Sequence, residues 1–256
     1  MSTQQIKVYS KYLKKEMTTY IYVPDEYANI SLPVLYFFHG RTGNGKILTQ
    51  LVMDTLAQDL ISSNQILPMI IVCPSIDNSR GLNSSINYKE LKGKNGIVHK
   101  GQYENYFINE IIPIIDKKYN TISNRNSRYI GGISAGGYSA LHIAFRHQNL
   151  FSKVGGHMPA IDLHFEDEDE CYFKNKEMWI KYDPITIATN NNIKDIKVFL
   201  DAGNEDEGQF YIACKELTRI LNFKNVKVEN HIFSGHHNAN YIISNLKQYL
   251  KFYSTK

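Results

Sequence analysis

Short apolar runs alternate with amphipathic stretches along most of the chain. Residues 6–12 and 18–23 alternate in polarity around the polar turn Lys14-Lys15-Glu16, which predicts an antiparallel β-hairpin. The runs at 33–39 (PVLYFFH), 68–74 (PMIIVCP), 127–134 (SRYIGGIS), 153–157 (KVGGH) and 197–203 (KVFLDAG) read as strands buried on both faces. A further candidate, 226–233, alternates more than these. Between most of them, 47–62, 103–118, 136–147, 207–222 and 238–253 carry helical periodicity. Strands alternating with helices of this size imply right-handed crossovers and a mostly parallel, doubly wound α/β sheet. No internal repeat or flexible linker interrupts the pattern, so residues 1–256 read as one domain.

Two segments depart from this rhythm. Residues 75–102 are rich in Asn, Ser, Lys and Gly, and residues 160–185 carry the acidic run at 166–170 and the only tryptophan, Trp179. Loops leaving the carboxyl ends of strands build the ligand crevice in such a sheet, so both are candidates to line a substrate pocket, with Trp179 as a substrate-binding residue. The acidic run by itself reads as a solvated loop.

Composition narrows the functional classes. Hydrophobic residues make up 43% and charged residues 21% of 256, ordinary globular values. The net charge of +4 is spread out, with no run of five Lys and Arg, and makes no case for nucleic acid. The 18 tyrosines read as compositional bias. Cys73, Cys171 and Cys214 fit neither a disulfide framework nor a zinc pattern. The N-terminal residues lack the apolar core of a signal peptide, and no stretch nears the ~18 apolar residues of a membrane helix. The expectation is a cytoplasmic enzyme with no membrane partner, free to be a monomer or a homodimer.

The central chemical signal is Gly132-Ile133-Ser134-Ala135-Gly136, between an apolar strand and a helical stretch. A serine on a sharp strand-to-helix turn needs small neighbours, and the helix start favours developing negative charge. The second signal is His39-Gly40-Arg41-Thr42-Gly43, directly after the run VLYFF. Acyl transfer creates an oxyanion that two backbone amides can hold, and those of Arg41 and Ala135 are the candidates. His39 precedes the serine, whereas this fold orders its triad Ser, acid, His; it reads as a hydrogen-bonded packing residue.

Downstream, Asp201, Glu205, Asp206 and Glu207 crowd the loop after the run at 197–200. Position alone favours Asp201 and Asp206 equally as the acid that orients a histidine. His236 and His237 follow the next strand; one is a candidate base and the other a pocket or capping residue. His231 falls within that strand and reads as structural. Consecutive histidines point apart, so the pair makes a poor metal site, and neither a metal nor an organic cofactor is expected.

Together, PVLYFFHGRTG, residues 103–113 with Asp116 and Tyr119, GGISAGGYSALHIAFRHQNLFSKVGGHMPA, LDAGNEDEG and SGHHN resemble the esterase D family over most of the chain. That family includes S-formylglutathione hydrolases, feruloyl and acetyl-xylan esterases, and mycolyltransferases. The resemblance implies an α/β-hydrolase fold and a serine carboxylesterase acting on a small-molecule ester or thioester. It puts the nucleophile on Ser134, the oxyanion amides on Arg41 and Ala135, the acid on Asp206 and the base on His237, leaving His236 to touch substrate. Ala135 stands where the family usually has methionine, Ser234 where proline is common, Ala239 where an aromatic often follows, and His236 at a glycine position. The same triad would serve an acyltransferase, and the fold also admits a silent binding module.

Overall fold

The expected hairpin opens the chain: in the computed structural model, which describes residues 2–27, 29–94 and 96–254, β1 (Ser2–Ser10) pairs antiparallel with β2 (Lys15–Val23). Next come β3 (Val34–Phe38), α1 (Ile47–Gln50), α2 (Met53–Ser62) and β4 (Ile70–Pro74). A small hairpin, β5 (Lys89–Gly93) and β6 (Gly96–Lys100), rises from the 75–102 segment. Helix α3 (Tyr103–Tyr106) runs through a π turn into α4 (Ile112–Lys118). Then follow β7 (Arg128–Ile133), α5 (Ala135–Arg146), β8 (Lys153–His157), α6 (Lys176–Tyr182) and α7 (Pro184–Asn190). The chain closes with β9 (Lys197–Gly203), α8 (Phe210–Phe223), β10 (Lys227–Phe233) and α9 (Ala239–Ser254).

Eight strands form one sheet in the order β1-β2-β4-β3-β7-β8-β9-β10. Pairing is parallel from β4 through β3 to β10, and the hairpin adds antiparallel through β2 against β4. Strand β3 shows why its apolar run is unbroken. Val34, Tyr36 and Phe38 enter one core, and Leu35 and Phe37 enter the other. Helices cover both faces, and burying a side chain of this size contributes about 1.5–3 kcal/mol. Among the described residues, edge strand β10 has no neighbour beyond it and keeps an exposed face, which explains its alternating polarity.

Two helical stretches are less regular than their periodicity predicts. Residues 47–62 split at Val52, which takes φ 52° and faces outward while Leu51 and Met53 stay buried. The π turn at Phe107–Ile111 lies just ahead of Pro113, which has no amide to return to the preceding turn. The acidic run is solvated in part, as expected, with Glu166, Asp167 and Glu170 exposed. Asp169 of the acidic run is fully buried and paired with buried Arg80 at 2.7 Å, so the run clamps the two inserted segments together. The Arg80 guanidinium lies over the Tyr172 ring, 4.5 Å from its centroid. Among the described residues, no helix is long and apolar enough to cross a membrane.

Candidate active site

Ser134 joins the end of β7 to the start of α5 with φ 53° and ψ −119°. A non-glycine residue rarely adopts this backbone, and surrounding structure must hold it there. Close packing supplies the hold. A Cβ on Gly132 would lie 2.5 Å from the Gly136 carbonyl, and one on Gly136 would lie 2.4 Å from the His39 carbonyl oxygen. The Ser134 amide donates to the His157 carbonyl at 2.9 Å, and its own carbonyl accepts from Ala160 at 3.0 Å. The hydroxyl is thereby presented above the carboxyl ends of the central strands.

Two loops from that same edge meet the hydroxyl. His237 Nε2 lies 2.9 Å from Ser134 Oγ, and His237 Nδ1 lies 2.9 Å from Asp206 Oδ2. An ionised carboxylate only accepts, so Nδ1 carries the proton and Nε2 is left to accept from the serine. Asp206 is buried in the turn after β9, and its other oxygen accepts from the Gly208 amide at 2.9 Å. The Phe210 ring stands edge-on to the imidazole with centroids 5.3 Å apart. The structure thus brings Ser134, His237 and Asp206 into one hydrogen-bonded chain.

The oxyanion candidates also converge here. Ala135 is the first residue of α5, where an amide has no acceptor within its own helix. The loop after β3 passes so near that a Cβ on Gly40 would touch Ser134 Cβ at 3.6 Å, and Arg41 follows it. His39 fastens this loop: its Nε2 accepts from the Ile76 amide at 3.0 Å and Nδ1 contacts the Gly40 carbonyl at 2.7 Å. Burial holds its pKa below the ordinary imidazole value, in keeping with a neutral packing residue. The Arg41 side chain points toward Glu168, 3.6 Å away, and ties the loop to the acidic run.

A cavity of about 500 Å³ opens over Ser134. Leu51, Met158, Phe210 and Ile242 make its apolar wall, while Arg41, Thr42 and Asn238 add polar edges. Among the described residues of the two irregular segments, only Ala160, at the start of the second, reaches it. Trp179 is not brought there; it is buried in α6 with Phe165 beside it, ring centroids 6.0 Å apart. His236 also turns away. Its half-exposed ring pairs with Glu207 at 2.9 Å and Glu205 at 3.3 Å. Asp201 instead bonds His157 at 2.8 Å, while His237 Nδ1 is taken by Asp206. His231 stacks on Phe233 in β10. The wall residues went unread because single apolar positions carry no chemical signature in the sequence.

Residues 10–253 match the family model described as "Putative esterase". Among solved structures, a ferulic acid esterase superposes with a TM-score of 0.80 at 21% identity, covering 99% of this chain and 97% of that one. An S-formylglutathione hydrolase from Agrobacterium tumefaciens gives 0.80 at 16% identity, covering 99% and 98%. A fluorophosphonate-binding serine hydrolase of Staphylococcus aureus gives 0.79 at 16% identity, covering 100% and 99%. The shared architecture is the α/β-hydrolase fold.

Proposed function

The chain belongs to this esterase family, and from that premise we propose that it is a serine carboxylesterase, cleaving esters or thioesters through an acyl-enzyme on Ser134. The observation that carries this reading is the continuous chain from Ser134 Oγ through His237 to Asp206, with the serine on a strained turn. In the first step Ser134 Oγ attacks the substrate carbonyl carbon while His237 Nε2 takes the hydroxyl proton. Asp206 steadies the imidazolium and keeps its tautomer. Negative charge on the former carbonyl oxygen is met by the Arg41 and Ala135 amides. The tetrahedral intermediate collapses, and His237 returns the proton to the departing alcohol or thiol. Water then repeats the cycle against the acyl-serine, with His237 again as base, and releases the acid.

The cavity bears on substrate size. About 500 Å³ with a wall of Leu51, Met158, Phe210 and Ile242 exceeds what a formyl group needs and suits a medium aliphatic or aryl portion. The solved relatives are named for ferulic acid and S-formylglutathione, which sets the comparison to make. A panel of p-nitrophenyl acyl esters, a feruloyl ester and S-formylglutathione should show kcat/KM rising from acetyl toward medium chains. Ser134→Ala should lower kcat by several orders of magnitude, up to ~10⁶, with the fold intact. A Ser134→Ala enzyme keeping more than about a tenth of its activity would remove this serine from the mechanism.

A further inference from the structure

A second Asp–His pair lies beneath the site without opening to its cavity. Asp201 is fully buried and accepts from His157 Nδ1 at 2.8 Å, the Tyr241 hydroxyl at 2.8 Å and the Tyr249 hydroxyl at 2.7 Å. His157 Nε2 lies 3.0 Å from the Tyr253 hydroxyl, and its ring stacks on Tyr249 at 3.7 Å between centroids. Burial, then the adjoining Asp201 charge, push the Tyr241 and Tyr249 phenols well above their usual pKa, so both stay hydroxyl donors. All three tyrosines belong to α9, the helix that begins just after the histidine segment.

Tyr241 differs from the other two in what else it holds. Its ring lies against Gly235, where an added Cβ would sit 3.0 Å from Tyr241 Cδ2. Its amide donates to Asn238 Oδ1 at 3.1 Å. Gly235 and Asn238 flank His236 and His237, so this one residue grips the segment on both sides while its hydroxyl is tied to Asp201. The same floor reaches the nucleophile: the Met158 amide donates to the Asp201 carbonyl at 2.8 Å, and His157 accepts from the Ser134 amide. Tyr249 shares the carboxylate but stands about two turns further along α9, against His157 and Phe199.

We propose that Tyr241, anchored by Asp201, is a positioning residue for the catalytic base. It holds residues 235–238 so that His237 Nε2 meets Ser134 while Nδ1 meets Asp206. The proposal rests on reading His237 as the base. A misplacement of about 1 Å in a catalytic group costs up to ~10²-fold in rate, so a lost anchor here has a kinetic signature.

Tyr241→Phe and Tyr249→Phe provide a matched test, because each deletes one hydroxyl from the same carboxylate and keeps the ring. The readouts are the rate of Ser134 labelling by a fluorophosphonate, kcat and KM on one p-nitrophenyl ester, and Tm. Both variants should lose comparable Tm. Tyr241→Phe should lower the labelling rate and kcat about 10- to 100-fold at nearly unchanged KM, whereas Tyr249→Phe should stay within about threefold. Equal kinetic losses in the two tyrosine variants, tracking Tm, would overturn the positioning role while leaving the serine mechanism standing. Failure of the unmodified enzyme to label would remove the serine reading itself, and the proposal with it.

Discussion

Two Asp–His pairs stand at the carboxyl edge of the same sheet, alike in local geometry and opposite in surroundings. Asp206 and His237 meet at 2.9 Å, and Asp201 and His157 at 2.8 Å. The His237 side chain is 23% exposed and its far nitrogen faces a serine hydroxyl in an open cavity. The His157 side chain is fully buried, and its far nitrogen meets the Tyr253 phenol. A histidine serves as a general base only where a proton can leave a reacting group and later be returned. The contrast teaches that an aspartate holding an imidazole is not by itself a catalytic feature. What faces the second nitrogen decides, and here one pair faces a serine hydroxyl in an open cavity while the other fastens strands to a helix.

Substitutions in the two pairs should therefore fail in different ways. The largest effect belongs to His237→Gln, which keeps a hydrogen bond but cannot accept a proton; turnover should fall toward the ~10⁶-fold loss seen when a triad enzyme loses its base. Asp206→Asn should cost roughly 10⁴ in kcat with little change in Tm, because the imidazole tautomer is no longer fixed. Asp201→Asn should act first on stability. Its side chain replaces an accepting oxygen with a donor among three existing donors, which costs about 1–3 kcal/mol in denaturant unfolding. Its kcat should drop no more than the ~10²-fold expected of a displaced base. Comparable kcat losses in Asp201→Asn and Asp206→Asn would erase the distinction between the pairs. The smallest effect falls on His236→Gln. Its ring turns outward to Glu205 and Glu207, so kcat should remain at least ~10²-fold above that of His237→Gln.

Much of the fold was readable because parallel strands buried on both faces leave unbroken apolar runs, as VLYFF and IIVC do. The small β5–β6 hairpin was not predicted, although Asn95-Gly96 is a strong turn signal in the sequence. Its strands are mostly exposed, so little hydrophobic pattern marked them. Position along the chain left Asp201 and Asp206 equal, since both follow the same run. Register separates them: Asp201 lies within β9, opposite His157, whereas Asp206 lies in the turn beyond. Trp179 and His236 illustrate a second limit. Which way a side chain points depends on packing that residue type does not encode, and both turn away from the cavity. The tyrosine count looked like bias, yet Tyr241, Tyr249 and Tyr253 each bring a buried hydroxyl to the Asp201–His157 pair. A buried phenol needs a polar partner, and three of them on one amphipathic helix was the available signal.

The central claim is a covalent acyl intermediate on Ser134, and trapping it is the most direct measurement. Rapid acid quenching during turnover of a slowly deacylating p-nitrophenyl ester, followed by intact-mass and peptide analysis, should show one acyl group added per chain. The adduct should map to the peptide containing Ser134 and disappear in Ser134→Ala. An adduct on any other residue, or an initial product burst with no acyl mass on the protein, would contradict it.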